Sequence, residues 1–366
     1  MSEKSVDLPE ELITEILLRL TVNTLLRCKS VCKSWFSIIS NPHFATSHFQ
    51  IAASSTNKLV CLGNNSETLT VDFNASLNNE SSYAFLHLRT CLNIGGSCRG
   101  FLFLHMYRDF YLLNPATRVH IQIPASPITI VSDFNLETFL YGFAYDHSTD
   151  DYLIVLGSYE YRAFNHRVPC AIYFEIFSLR TNRWKHIKSD SQLIIDQECG
   201  FYVGLLLNGS IHWLVRRYEG YFVDVIIAFD LKESKMSLIA LPYGFDYDID
   251  DSNHDLLVLG GLMGASIVEM PTITIWVMKK YAVQSSWTMI IVFSVDPALH
   301  CSLSIVCFTN SGDIIGRDQE GRLMKFNDKG QLLEHYCNSK GIYSQRSQMA
   351  LYTESLLSLP CGIEQV

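Results

Sequence analysis

Three groups of residues in this chain have types and spacing that could do chemistry. Cys28 and Cys32 lie four apart in a segment of helical pattern, which brings two thiols to one face, as a metal chelate requires. No second Cys or His pair follows at zinc-finger spacing, so the two read as small buried hydrophobes. Asp246-x-Asp248-x-Asp250 has the alternating carboxylates that open a calcium loop, but Asp251 stands where the loop needs glycine and Leu257 where it needs a bidentate glutamate. What remains is an acidic loop, with Asp248 and Asp250 as candidate contacts to a partner. Arg216, Arg217 and Tyr218, followed by Tyr221 and Phe222, combine residue types that anchor protein interfaces. Neighbouring strand residues point to opposite faces, so at most one of the two arginines serves a given surface. His147, His166 and His254 fall in expected loops, where a lone imidazole is ordinarily solvated. The chain has no Gly-Lys-Ser phosphate loop, no Gly-x-Ser-x-Gly elbow and no His-Glu-x-x-His pair. Nothing positive points to catalysis, and neither cofactor nor metal is expected.

The elements that would position these residues differ between two parts of the chain. The 366 residues are long enough for a large core, and a charged fraction of 18% against 48% apolar excludes general disorder. The net charge of -9 argues against a broad surface for nucleic acid or anionic membrane. Residues 1–50 carry equal numbers of acidic and basic side chains, so residues 51–366 hold the whole negative balance. Met1–Glu11 has no apolar leader, and the longest nearly apolar run, Leu256–Val268, is too short to span a bilayer. The 11 cysteines are then expected as reduced thiols in the cytoplasm or nucleus, and the Asn-x-Ser sequons at Asn64, Asn74, Asn79 and Asn208 as chance.

The first fifty residues read as three short helices. Asp7 or Leu8 would cap the first, with Pro9 at its first position, where a missing N–H costs nothing. Leu12, Ile13, Ile16, Leu17 and Leu20 follow at helical spacing. Thr21 would cap a second helix bearing Val22, Leu25 and Leu26. Val31, Cys32, Trp35, Phe36 and Ile39 form the stripe of a third, and Asn41-Pro42 restarts a last turn. So small a module cannot bury all this apolar surface within itself. Either it packs on the rest of the chain or it faces another protein.

Leu8-Pro9-Glu10-Glu11-Leu12-Ile13-x-Glu15-Ile16-Leu17-x-Arg19-Leu20, then Leu25-Leu26-Arg27-x-Lys29-Ser30-Val31-Cys32-Lys33-Ser34-Trp35, closely resembles the F-box. The resemblance implies docking on the adaptor subunit of the SCF ubiquitin ligase and, through it, on cullin. It maps the adaptor contacts onto Leu8, Pro9, Ile13, Ile16, Leu17, Leu20, Leu25, Leu26, Val31, Cys32 and Trp35, some of which must be core. Plant members usually have proline where this chain has Thr21, a change that a threonine cap tolerates.

From residue 51 the pattern becomes short alternating strands separated by turns. Phe101–Leu104, Phe110–Leu113 and Val119–Ile123 read as successive strands around an Asn114-Pro115 turn. Asn208-Gly209, Asn310–Asp313 and Asn327–Gly330 mark further hairpins. A unit of strand, turn and strand with a large apolar anchor recurs at Trp184, Met236 and Trp287, a period of about 50 residues. Such units bury their faces only by radial stacking, which predicts an all-β, kelch-like β-propeller of about six or seven blades over 51–366.

Gly96–Leu102, Leu113–Arg118, Tyr141–Asp146, Leu207–Trp213, Ile227–Leu231, Ile275–Tyr281 and Leu351–Leu356 resemble the plant F-box-associated domain. Together the resemblances imply a plant F-box/kelch-repeat-like protein, a non-catalytic substrate receptor of an SCF ligase whose propeller holds an unidentified protein target. A non-degradative protein- or glycan-binding propeller is the alternative. A copper oxidase on a kelch-like propeller would need paired tyrosines and histidines that cannot be read here.

Overall fold

The structure, a computed structural model, describes residues 8–53, 58–62, 67–73, 77, 80–84, 92–106, 109–126, 136–160, 170–193, 195, 202–218, 222–243, 253–269, 271–295, 303–318, 322–336 and 348–359. Four helices come first: α1 (Glu10–Leu18), α2 (Val22–Cys28), α3 (Lys33–Ile39) and α4 (Pro42–Ala53). The expected three helices are therefore four, because the segment after Asn41 is a full helix of 12 residues and not a last turn. Asn41 Oδ1 accepts the His43 N–H at 2.8 Å, which starts α4.

Six sheets follow, so the ring has six blades, one of the two expected numbers. The first is built from β1 (Lys58–Leu62), β2 (Glu67–Asp72) and β3 (Glu80–Ala84). The second is β4 (Asn93–Cys98), β5 (Phe101–Met106), β6 (Asp109–Asn114) and β7 (Val119–Ile123). The third is β8 (Leu136–Asp146), β9 (Asp151–Glu160), β10 (Cys170–Ser178) and β11 (Arg183–Leu193), with β12 (Tyr202–Val203) added in parallel beside β8. The fourth is β13 (Leu205–Leu207), β14 (Ser210–Tyr218), β15 (Phe222–Asp230) and β16 (Lys235–Ile239). The fifth is β17 (Asn253–Leu259), β18 (Leu262–Glu269), β19 (Thr272–Met278) and β20 (Trp287–Ser294). The sixth is β21 (Leu303–Phe308), β22 (Ile314–Asp318), β23 (Leu323–Phe326) and β24 (Leu332–Tyr336). The last strand, β25 (Gln348–Tyr352), pairs antiparallel with β1 and so completes the first blade from the other end of the chain.

The core is divided the way radial stacking demands. Each apolar cluster of the ring lies between two neighbouring blades, including one that joins the sixth blade to the first. The recurring large anchor now has a physical reason. Trp184 opens the outer strand of blade three, and its indole N–H donates to Pro124 O at 2.8 Å, just past blade two. Trp287 does the same from blade five to Ala240 O at 3.0 Å. The indole packs apolar surface between blades while its N–H satisfies a carbonyl where the previous blade ends.

Successive strands are antiparallel, so the first-to-second and third-to-fourth strand turns of every blade share one end of the ring. Left-handed residues sit in these turns, among them Arg118, Asp150, Asn182, Asn208 and Ser234. The chain enters β1 and leaves β25 at this same end, since Lys58 pairs with Tyr352.

At that end the Asn114 side chain clamps the C-terminal segment. Its Nδ2 donates to the carbonyls of Ser355 (3.0 Å) and Leu357 (3.2 Å), while its Oδ1 accepts from the Ala116 N–H. The Tyr352 hydroxyl also accepts from Ala116 N–H at 3.0 Å, and Lys58 pairs with Glu354 at 2.6 Å.

Two glycines test this closure. Gly100 and Gly209 both have left-handed backbones, φ 82° and 74°. A Cβ at Gly100 would lie 2.1 Å from Ser355 Cβ, whereas nothing comes within 4 Å of one at Gly209. Gly209→Ala should cost about 1 kcal/mol of backbone strain. Gly100→Ala should cost roughly 2 kcal/mol more, because the closing segment must shift. Thermal melting of the two variants measures the difference, and equal losses would contradict the clamp.

Candidate functional site

The helical module has a core of Leu17, Leu25, Ile38, Ile39 and Phe44. Pro9 is the N-cap of α1 and not its first residue, with no side-chain cap bond, so neither Asp7 nor Leu8 caps the helix. Glu10 and Glu11 follow in the first turn, where carboxylates favour the positive helix end. Thr21 caps α2 as the sequence predicts, its Oγ1 accepting the Thr24 N–H at 3.4 Å. Cys32 caps α3 by accepting the Trp35 N–H on sulfur at 3.5 Å. Cys32 is exposed and Cys28 half-buried, which corrects the reading of both as buried hydrophobes.

The expected contact residues divide into three classes. Leu17 and Leu25 are module core. Ile13, Leu20 and Trp35 are half-buried against that core, and Leu26 is also half-buried. Leu8, Pro9, Ile16, Val31 and Cys32 are exposed. Two further residues belong with the exposed group, Leu12 and Phe36. More than half of each large side chain faces water: Leu8 54%, Leu12 51%, Ile16 53%, Val31 62% and Phe36 54%. Leu8, Leu12 and Ile16 repeat every four residues, so they line one face of α1. The signal for Leu12 was this spacing, and for Phe36 its place in the α3 stripe. Several large apolar side chains exposed on one small module are the mark of an interaction surface. Exposed charges surround it, with Glu10, Glu11 and Glu15 on α1 and Arg27 and Lys33 at the α2–α3 side.

At the other end of the ring, the expected Arg216, Arg217 and Tyr218 finish β14. Arg216 Nε donates to Asp224 Oδ1 at 3.2 Å across the hairpin. Asp224 Oδ2 accepts from His254 Nδ1 at 2.5 Å, which links blade four to blade five. His254 lies on β17 with its side chain buried, so it is a structural partner and not a solvated loop histidine. Arg217 forms an isolated backbone bridge with Ile195, and its side chain leaves the strand on the opposite face from Arg216. His147 packs edge-on against Tyr145. Asp255 is also on β17, where its Oδ2 accepts the Ile305 N–H at 3.2 Å, which removes it from the expected acidic loop. Asp248, Asp250, His166 and Tyr221 lie outside the described residues.

Burial and pairing set the charges between blades. Burial opposes the charged form of Asp224, but His254 and then Arg216 outweigh it and hold the carboxyl below its usual range. His212 is fully buried. Its Nδ1–H donates to Leu205 O at 3.2 Å, which leaves Nε2 to accept from the Tyr281 hydroxyl at 2.7 Å. Burial pulls His212 down to about 4 and His105 to about 3. Among the described residues no three His, Cys, Asp or Glu side chains group as metal ligands do.

The family model for the "F-box associated beta propeller domain" matches residues 43–351, and that for the "F-box domain" matches residues 6–46. F-box protein CPR1 of Arabidopsis thaliana is 27% identical over 301 residues, covering 77% of this chain and 72% of that protein. An F-box/kelch-repeat protein of Arabidopsis thaliana is 26% identical, covering 78% of this chain and 79% of that one. The solved structure of U3-55K aligns with a TM-score of 0.38 at 10% identity, over 77% of this chain and 79% of that one.

The buried neutral histidines and the paired carboxylate predict loss of stability in acid. Native His212 and His105 stay unprotonated below the ordinary histidine pKa near 6.5, while the unfolded chain takes up those protons, so stability is full above that value and falls as pH drops toward 4. Asp224 adds loss below pH 4, as its depressed folded pKa is approached. Melting temperature should be flat from pH 8 to 7 and decline below 6. A His212→Asn variant, unable to take that proton, should start lower and decline less steeply. Parallel declines would count against the assignment.

Proposed function

Because this chain belongs to the F-box proteins that carry an F-box associated β-propeller domain, we propose that it is the substrate-recognition subunit of an SCF-type ubiquitin ligase. The observation that carries this reading is the exposed apolar face of Leu8, Leu12, Ile16, Val31 and Phe36 on a module that matches the F-box. Those side chains, with Pro9, Cys32 and the outer edges of Ile13, Leu20, Leu26 and Trp35, would cover the adaptor. Leu17 and Leu25 would act only by holding the helices together. The propeller would hold a protein target, and catalysis would come from proximity: a target lysine kept near a charged conjugating enzyme reacts at raised effective concentration. This chain would supply no nucleophile. The setting we propose is cytoplasmic or nuclear, supported by the free thiols of Cys28, Cys32, Cys61, Cys98 and Cys307.

Leu12→Asp/Ile16→Asp places charges in that face without touching the module core. It should weaken pull-down of a recombinant SCF adaptor at least tenfold, the order expected when an interface anchor is lost, and leave the propeller's melting unchanged. Leu25→Ala should instead cost about 2–4 kcal/mol of module stability through its cavity. Adaptor binding that survives the double charge change would refute this interface.

A further inference from the structure

The helical module is seated on the propeller by contacts that no relative's description assigns. Helix α4 has two faces. Phe44 packs into the module core, while Ala45 and Phe49 join the apolar cluster between blades two and three. His48 is buried, and its Nε2–H donates to Leu20 O at 2.8 Å, which holds α4 to the end of α1. The C-terminal segment fills the remaining space. Leu357 and Leu359 are buried in the blade two–three cluster, and Leu356 packs against both that cluster and the module core. The same segment is held to blade two by Asn114. Arg99 lies between the parts, its guanidinium 3.8 Å from the Tyr145 ring centre and 5.4 Å from that of Phe49.

We infer that Thr353–Leu359, with Arg99 and Ala45, is a strap that fixes the orientation of the helical module on the propeller, so that the two move as one body. Leu356, Arg99 and Ala45 are positioning residues in this scheme. A tethered module would sweep a range of orientations, and effective concentration at any one point would fall with the volume swept. A strapped module holds whatever the propeller carries at one place relative to whatever docks on α1 and α3. The last step rests on the ligase reading above; the strap itself does not.

The test compares the full chain with two variants that attack the strap from opposite sides, Leu356→Asp and Ala45→Glu. Small-angle scattering of the wild type should fit one rigid body. Each variant should show a larger maximum dimension while the propeller's melting transition persists. Ala45→Glu leaves the Asn114 clamp untouched, so it remains informative if Leu356→Asp opens the ring. A wild type that scatters as two independent bodies, or variants that scatter as the wild type does, would overturn the strap. In a reconstituted SCF ligase, self-ubiquitination of the wild type should fall on a restricted set of its lysines and spread over more of them in Ala45→Glu with adaptor pull-down retained. An unchanged lysine set would refute the positioning role. Should the adaptor not bind the wild type at all, the ligase reading fails and scattering alone decides the strap.

Discussion

The Asn114 carboxamide is the contact on which the rest of the structure depends. A propeller has no free-standing blade, because each sheet buries its faces only against its neighbours, so the ring must close. Here the start of the chain is used by the helices, and the first blade lacks its inner strand until β25 arrives from the far end. Strand pairing alone leaves the segment after Tyr352 with backbone groups to satisfy in a buried place, where an unpaired group costs about 1–3 kcal/mol. Asn114 meets two of those carbonyls and one N–H of its own turn with a single side chain. Neither a hydrophobic residue nor an acid could do this, since the site needs donors and an acceptor together.

Closure at this point decides where everything else sits. Both chain ends emerge on the face of the tight turns, so the helical module can only be built there. The opposite face, where β14 and β15 bring Arg216 and Asp224, is left free of it. The charge division has the same geometry: a neutral module on one side and the acidic propeller on the other. Arg216 and Asp224 nevertheless neutralise one another, with His254 joined to them. The weak preference for a basic target that net charge implies therefore draws nothing from this triad.

Much of the fold was legible because its signals are local. Strand periodicity, the Asn-Gly turn and the Trp184–Met236–Trp287 spacing each sit within one blade, and each reappears as an element or an inter-blade anchor. What could not be read were contacts between residues far apart in the chain. Asn114 showed as a turn residue, with nothing to reveal its partners at Ser355 and Leu357. His254 looked like a loop residue because its companion, Asp224, belongs to another blade. In the module, helical spacing marked Leu12, Ile13, Ile16 and Leu17 alike as apolar. Which of them face inward depends on where α2, α3 and α4 lie, so Leu17 was grouped with the contact residues while Leu12 was passed over.

That partition also bears on why the module is built as it is. A core of five large side chains is too small to hold four short helices alone, since so short a chain buries too little surface to offset its entropy. The module leans on the propeller through α4 and Leu356, which contribute apolar contacts that its own sequence cannot. That support frees Leu8, Leu12, Ile16, Val31 and Phe36 from structural duty and lets them stay in water without loss of the fold. An apolar face can be spared for a partner only because another face is already covered. The strap that seats the module and the surface that the module presents are two consequences of one shortage of core.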